Sequence, residues 1–202
     1  MTIPPSRNTG ADTPTPTRSL RDAPPPERLG PPAALNAEQH EAAQALVNGP
    51  RGGVYGPFRP LLHRPPLLHA VAKVGEVLRY QGTLAGELRE WTICVVAHEL
   101  ANVFEWRMHR PLAEKAGVPA AALAALEAGL PLPPDLQPEL ALAAALAREL
   151  LANHDVSDAH YAAALRAWGE PALVEWLTLV GYFAMVSWLM NVARTPGPSG
   201  AG

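Results

Sequence analysis

The chain is poor in cysteine, in charge and in strand signals. Its one cysteine, Cys94, excludes an intramolecular disulfide, a Cys-x-x-Cys redox pair and a cysteine-rich zinc site. Charged residues make up only 17%, and 16 basic against 19 acidic side chains leave a formal charge of −3. A pI of 6.2 is the opposite of the clustered cationic surface that nucleic acid requires, so no nucleic-acid partner is expected. Long hydrophobic runs are also missing. The most apolar stretch, residues 176–190, is 15 residues without a charge and contains Thr178, Gly181 and Ser187. That is short of the roughly 20 residues that cross a bilayer, and a helix apolar on all sides fits the centre of a bundle or a subunit interface instead. No membrane partner is expected. The first 34 residues hold nine prolines and no apolar stretch of signal-peptide type, so a cytoplasmic location is the expectation.

Proline (23 residues) and alanine dominate what is present. The prolines punctuate and the alanines run in blocks, which points to helices joined by Pro-rich connections. Residues 1–34 cannot bury enough apolar surface to offset their ordering entropy and are expected to be a disordered tail; residues 195–202 (TPGPSGAG) read the same way. Residues 35–194 form the domain. Asn36 caps a first helix that Gly49-Pro50 ends. Residues 51–66 are too rich in Gly and Pro for regular structure, and Tyr55, Phe58 and His63 there could cover a pocket or pack as a belt. A helical face runs through residues 67–80. Thr83 is placed to cap the segment that follows, which continues to residue 109. Pro111 and Gly117 bracket a short helix, residues 119–129 another, and residues 138–152 a further one. Ser157 or Asp158 starts a helix to Trp168, and the last begins near Pro171. The sum is an all-α bundle of about seven helices.

The densest polar grouping in an apolar setting lies at residues 90–109. At 100° per residue, Glu90, Glu105, His98, His109 and Asn102 share about 120° of a helix circumference, among Trp91, Phe104, Trp106 and several valines. A carboxylate beside a histidine at i, i+4 in such surroundings can exchange a proton, because desolvation moves both groups toward neutrality. The same spacing also describes a solvated ion pair on a helix face. His98-Glu99-x-x-Asn102 lacks the second histidine of a zinc motif, and no further ligand completes a site around Glu90, Glu105 and His109, so no metal is expected. His154, Asp155, Asp158 and His160 straddle a helix start and read as caps; His40, His63 and His69 read as surface or loop residues. As one straight helix, Glu90 and His109 would stand about 28 Å apart. Asn102-x-x-Glu105 reads as a capping box that starts a second helix at Val103, and a corner there would bring the two faces together.

The runs LREWTICVVA (88–97), FEWRMH (104–109), PLAEKAGV (111–118) and VEWLTLVGYF (174–183) resemble the carboxymuconolactone decarboxylase / alkylhydroperoxidase D-like superfamily over residues 50–193. The resemblance implies an all-helical fold assembled as trimers or hexamers. In the peroxidase branch a glutamate, a Cys-x-x-Cys and a histidine fall at Glu90, Asn102, Glu105 and His109 of this chain. Asn102 and Glu105 cannot form a disulfide or attack a peroxide, and Cys94 sits among apolar residues. The chain is therefore similar to the cysteine-free branch, which implies a lyase-like, cofactor-free acid/base enzyme acting on a small carboxylated metabolite. His109 is then the general acid/base, Glu105 tunes or shares its proton, and Glu90 orients the imidazole. Asn102, His98, Trp91, Phe104 and Trp106 are the expected pocket, and Arg89, Arg107 or Arg110 the partner of a substrate carboxylate. A non-catalytic oligomeric or ligand-binding protein of the same fold is the alternative, and a redox protein acting through Cys94 a third.

Overall fold

The computed structural model describes Leu20 and residues 25–198. Among these are helices α1 (Ala37–Asn48), α2 (Phe58–Leu61), α3 (Pro65–Glu76), α4 (Gly86–Glu99), α5 (Val103–Ala116), α6 (Ala120–Glu127), α7 (Pro138–Asn153) and α8 (Asp158–Ala193), with no strand among the described residues. A π-helical turn, Val77–Gln81, extends α3.

Helix α4 is the hub. Every residue from Glu90 to Ala97 is buried, as expected of a helix enclosed on all sides, and α5, α6, α7 and α8 all pack against it. The indoles of Trp91 and Trp176 are fully buried, and each N–H finds an acceptor. Trp91 Nε1 donates to the Leu140 carbonyl at 2.8 Å, and Trp176 Nε1 to Thr92 Oγ1 at 2.9 Å. A smaller core, Ala42, Leu46, Phe58, Leu62, Leu68 and Ala72, joins α1 to α2 and α3, and Val71 packs against both cores.

The turn chemistry explains most boundaries. Asn36 Oδ1 accepts from the Gln39 N–H at 2.9 Å while Gln39 returns the bond, a complete capping box on α1. Ser157 caps α8, and His154 closes α7 with φ 64°. Gly169, at φ 75°, breaks α8 into two legs just before Pro171, where the sequence places a separate helix start. Helix α8 as a whole is apolar enough to cross a membrane by length and composition, and 56% of its most apolar stretch is buried within the chain, as in a core helix.

Three local expectations are corrected. Residues 51–66 are not wholly irregular, because Phe58 and Pro60 bury themselves and draw residues 58–61 into the turn of α2. Pro111 does not begin a helix; it lies inside α5. Its missing N–H forfeits one bond, and burial of His109 and Ala113 on either side keeps the helix continuous until Gly117 stops it at φ 107°. Thr83 does not cap α4, whose N-cap is Ala85 without a side-chain bond. Instead Glu175, from α8, accepts the Thr83 N–H (2.8 Å), the Thr83 hydroxyl (2.7 Å) and the Leu84 N–H (3.2 Å). The one charge between residues 172 and 192 thus fastens the loop that leads into the hub.

Of the two expected tails, residues 1–19, 21–24 and 199–202 lie outside the described residues. Within the described part, the Arg28 and Leu29 N–H groups both donate to the Ala193 carbonyl, at 2.8 and 3.1 Å. Glu27 pairs with Arg59 at 2.9 Å, and His63 meets the Gly30 carbonyl at 3.0 Å.

Candidate functional site

The site begins at the corner between α4 and α5. The Ala101 N–H bonds the His98 carbonyl and the Asn102 N–H the Ala97 carbonyl, at 2.9 and 2.8 Å, the paired bonds of a Schellman stop. Ala101 occupies the left-handed position at φ 48°, where glycine is usual. One residue later Asn102 Oδ1 accepts from the Glu105 N–H at 2.8 Å and starts α5. Its amide also donates to the Ser187 carbonyl (3.2 Å) and to Asn191 Oδ1 (3.0 Å), pinning the corner to α8. The capping box is half formed. The Asn102 N–H is taken by α4, so the Glu105 carboxylate is released from holding its own helix.

The fold-back brings together three side chains that a straight helix would separate. His109 Nδ1 lies 2.7 Å from Glu90 Oε2, and His109 Nε2 lies 3.2 Å from Glu105 Oε2. All three are buried, at 6%, 5% and 3% exposure for Glu90, Glu105 and His109. Arg89 Nε sits 3.3 Å from the other Glu90 oxygen. Phe183 from α8 presents its ring edge-on to the imidazole, with centroids 5.2 Å apart. Burial alone would push the His109 pKa down, but hydrogen bonds and charge from Glu105 and Glu90 outweigh it, so the group is held above its ordinary value. Burial likewise pushes Glu90 up, and the His109 bond with the His109 and Arg89 charges brings it to a net lowering. The arrangement is a histidine ring bracketed by two glutamate side chains.

A cavity of about 350 Å³ opens on this cluster. Glu105 and His109 line it, while Glu90 stands behind His109 and does not. Phe104, Met108, Tyr182, Phe183 and Val186 supply apolar wall, and the Pro50–Phe58 loop closes over it with Arg51, Tyr55 and Phe58. Gly56, at φ 53°, is needed there because a Cβ would collide with the Phe104 ring, 2.5 Å away. The π-helical turn contributes Arg79 and Tyr80, in keeping with the frequency of such turns at functional sites.

Of the five residues expected as the pocket, Phe104 lines the cavity, as do Tyr55 and Phe58 of the loop read as a possible cover; the other four stand elsewhere. Trp91 is locked in the core. His98 faces Glu99, itself paired with Arg148 at 2.8 Å. Asn102 is consumed by the corner, and Trp106 donates to Glu127 at 3.2 Å beside a different cavity. For His98 and Asn102 the cause is the corner itself, which resets the helical phase between α4 and α5; Trp106 lies on another side of α5 from Glu105 and His109. The expected carboxylate partners also stand elsewhere. Arg89 serves Glu90, and Arg107 and Arg110 line the other cavity with Glu114 and Glu127. Arg51, Arg79 and Tyr182, which do reach the site, come from segments distant in sequence. The one signal for them was the Gly/Pro-rich loop that carries Arg51.

Cys94 is fully buried in α4, and desolvation with the nearby Glu90 charge drives its thiol pKa far up, the reverse of a reactive thiol. Both nitrogens of His109 face carboxylates, and among the described residues no group of three or more His, Cys, Asp or Glu is placed to hold a metal ion.

No family model and no curated protein matches the chain. A solved structure described as the alkylhydroperoxidase AhpD core, an uncharacterized peroxidase-related protein from Ralstonia eutropha JMP134, superposes with a TM-score of 0.65. It covers 85% of this chain and 91% of its own at 18% identity. At that identity the likeness is one of architecture, and the all-helical chain has the alkylhydroperoxidase D-like fold.

Proposed function

We propose that the protein is a cofactor-free acid/base enzyme that moves a proton to or from carbon in a small carboxylated metabolite, by decarboxylation or by isomerisation. The observation that carries this reading is a buried histidine held by carboxylates at both nitrogens, one of which, Glu105, faces an apolar cavity. Glu105 is the carboxylate within reach of a ligand. His109 stores the proton, and Glu90 is a positioning residue that fixes the ring through Nδ1. In a decarboxylation the carbon–carbon bond breaks, its electron pair stays on carbon, and the His109–Glu105 pair delivers the proton that carbon takes up; solvent then restores it. The proton carriers are side chains, so the reading requires no bound cofactor.

Peroxidase chemistry does not follow from the likeness to a peroxidase-related protein. The Cys-x-x-Cys positions that the resemblance implies hold Asn102 and Glu105, and Cys94 is sealed in the core.

The test is solvent deuterium incorporation, followed by proton NMR, into a panel of small lactone and unsaturated carboxylic acids. Glu105→Gln and His109→Ala should slow exchange about 10²–10⁴-fold. Wild-type rates in both variants, or no exchange by the wild type into any member, would overturn the reading.

A homo-oligomer, a trimer or hexamer by the resemblance, belongs to the same proposal. On α8, Val174, Leu177, Met185, Trp188 and Val192 are exposed at helical spacing, and Leu67 and Val74 of α3 are exposed as well. A continuous apolar surface of this kind favours association. Light scattering after size exclusion should show a multimer, and Trp188→Glu should shift it toward monomer. A cytoplasmic location, without nucleic-acid or membrane partners, completes the reading.

A further inference from the structure

We propose that Arg51 is the carboxylate anchor of the cavity and that the site selects acids with a single carboxylate on an apolar body. This rests on the acid/base reading for the reacting groups and adds what they act on.

Arg51 is fixed where three elements meet. Its Nη2 donates to the Ala72 carbonyl of α3 at 3.0 Å, and its guanidinium lies 4.4 Å from the centroid of the Phe58 ring. The space it occupies exists because residue 75 is glycine; a Cβ there would collide with both the Tyr182 hydroxyl and Arg51 Nη2. A guanidinium has five donors, and Arg51 Nε is buried without any partner. A buried donor left unmatched is costly, and the Arg51 side chain lines the cavity, so a ligand acceptor that draws the guanidinium toward it would supply the missing partner. Among the described residues no carboxylate pairs with Arg51 or with Arg79, the second cation on the cavity wall. The planar fork of Arg51 suits a carboxylate better than a point charge would.

The remaining walls set the rest of the selectivity. Tyr55, Phe58, Phe104, Phe183, Met108 and Val186 offer apolar contact, which suits a hydrocarbon or aromatic body. A second carboxylate brought against Glu105 would meet like charge. Ion pairing stabilises the anchored carboxylate as an anion, an interaction that would vanish if it departed as carbon dioxide. For a ligand with one carboxylate the reaction is therefore proton transfer at carbon, the isomerisation arm of the acid/base reading, and not decarboxylation.

The experiment measures binding of 4-fluorobenzoate and 4-fluorophenylacetate, each against its primary amide, to the full chain by fluorine NMR. Wild type should bind at least one acid about tenfold or more tightly than its amide. Arg51→Gln should weaken that acid about 10–100-fold and leave the amide unchanged. Gly75→Ala, which displaces Arg51 and Tyr182 without removing either, should fall between, and it keeps the proposal testable if Arg51→Gln does not fold. Glu105→Gln should retain the preference for acid. Equal affinity for acid and amide, no detectable binding of either acid, or an unchanged preference in Arg51→Gln or, if that variant does not fold, in Gly75→Ala overturns the anchor. Loss of the anchor with Glu105-dependent deuterium exchange intact leaves the acid/base reading standing, and the converse result removes that reading while the anchor survives.

Discussion

Three described histidines lie close to carboxylates, His98, His109 and His160, and the last two differ in almost everything else. His160 Nδ1 sits 2.5 Å from Glu149 Oε2 at the start of α8, with its side chain 38% exposed. His109 sits between Glu90 and Glu105 with its side chain 4% exposed. The glutamates that bond these two Nδ1 atoms have lowered pKa values: Glu149 chiefly through the His160 bond, Glu90 through its histidine against a dominant opposing burial effect. Only the second pair is dry, doubly bonded and adjacent to a cavity. An exposed histidine–glutamate contact contributes little to stability, whereas an enclosed one is costly to break.

The comparison breaks most visibly on truncation. His109→Leu leaves two buried carboxylates with only Arg89 beside them and should cost about 3–5 kcal/mol at neutral pH, read by urea denaturation. His160→Leu should unfold at the wild-type midpoint. Equal losses would mean that the buried cluster is no more than another ion pair.

The same subtraction, repeated across pH, sharpens the contrast. His109 has a folded pKa above its ordinary 6.5, so its contribution is full below about 6.5 and fades as pH rises through the raised folded value. Glu90 has a folded pKa below its ordinary 4.5, so its contribution is full above about 4.5 and fades as pH falls through the lowered value. The stability difference between wild type and His109→Leu should therefore be greatest between about pH 4.5 and 6.5 and shrink on both sides. His160→Leu should give a much shallower difference curve, fading as pH falls through the lowered Glu149 value, because solvent screens that exposed pair.

Smaller effects probe the corner that makes enclosure possible. Asn102→Ala removes a cap and a buried link to α8 and should cost about 2 kcal/mol. Ala101→Gly should do the opposite and stabilise by about 1 kcal/mol, because glycine accepts φ 48° without strain. A destabilising Ala101→Gly would show that the backbone there is not held in the left-handed region.

That corner was the most legible part of the site. Asn102 three residues before Glu105 is a local signal, and local signals survive folding; so do Gly49-Pro50, Ser157 and the Gly169/Pro171 break. The identity of the cavity walls was not legible, for two physical reasons. A helical wheel assumes one continuous phase, which places His98 and Asn102 with His109, and the Schellman turn at Ala101 cancels it. Arg51, Arg79 and Tyr182 meet only through tertiary packing, and nothing in their neighbouring residues marks them as partners. Pro111 and Thr83 misled for the same reason. Burial of His109 and Ala113 overrides a helix breaker, and Glu175, from 92 residues away, takes over the duty that Thr83 was placed to perform.

Enclosure of α4 has one more consequence. The lone thiol of the chain is walled in by the very helix that anchors the cluster, so a thiol-specific reagent can reach it only when the bundle opens. Labelling of Cys94 is thus a clock for core opening that needs no engineered probe, and its rate should slow in step with any ligand that closes the neighbouring cavity.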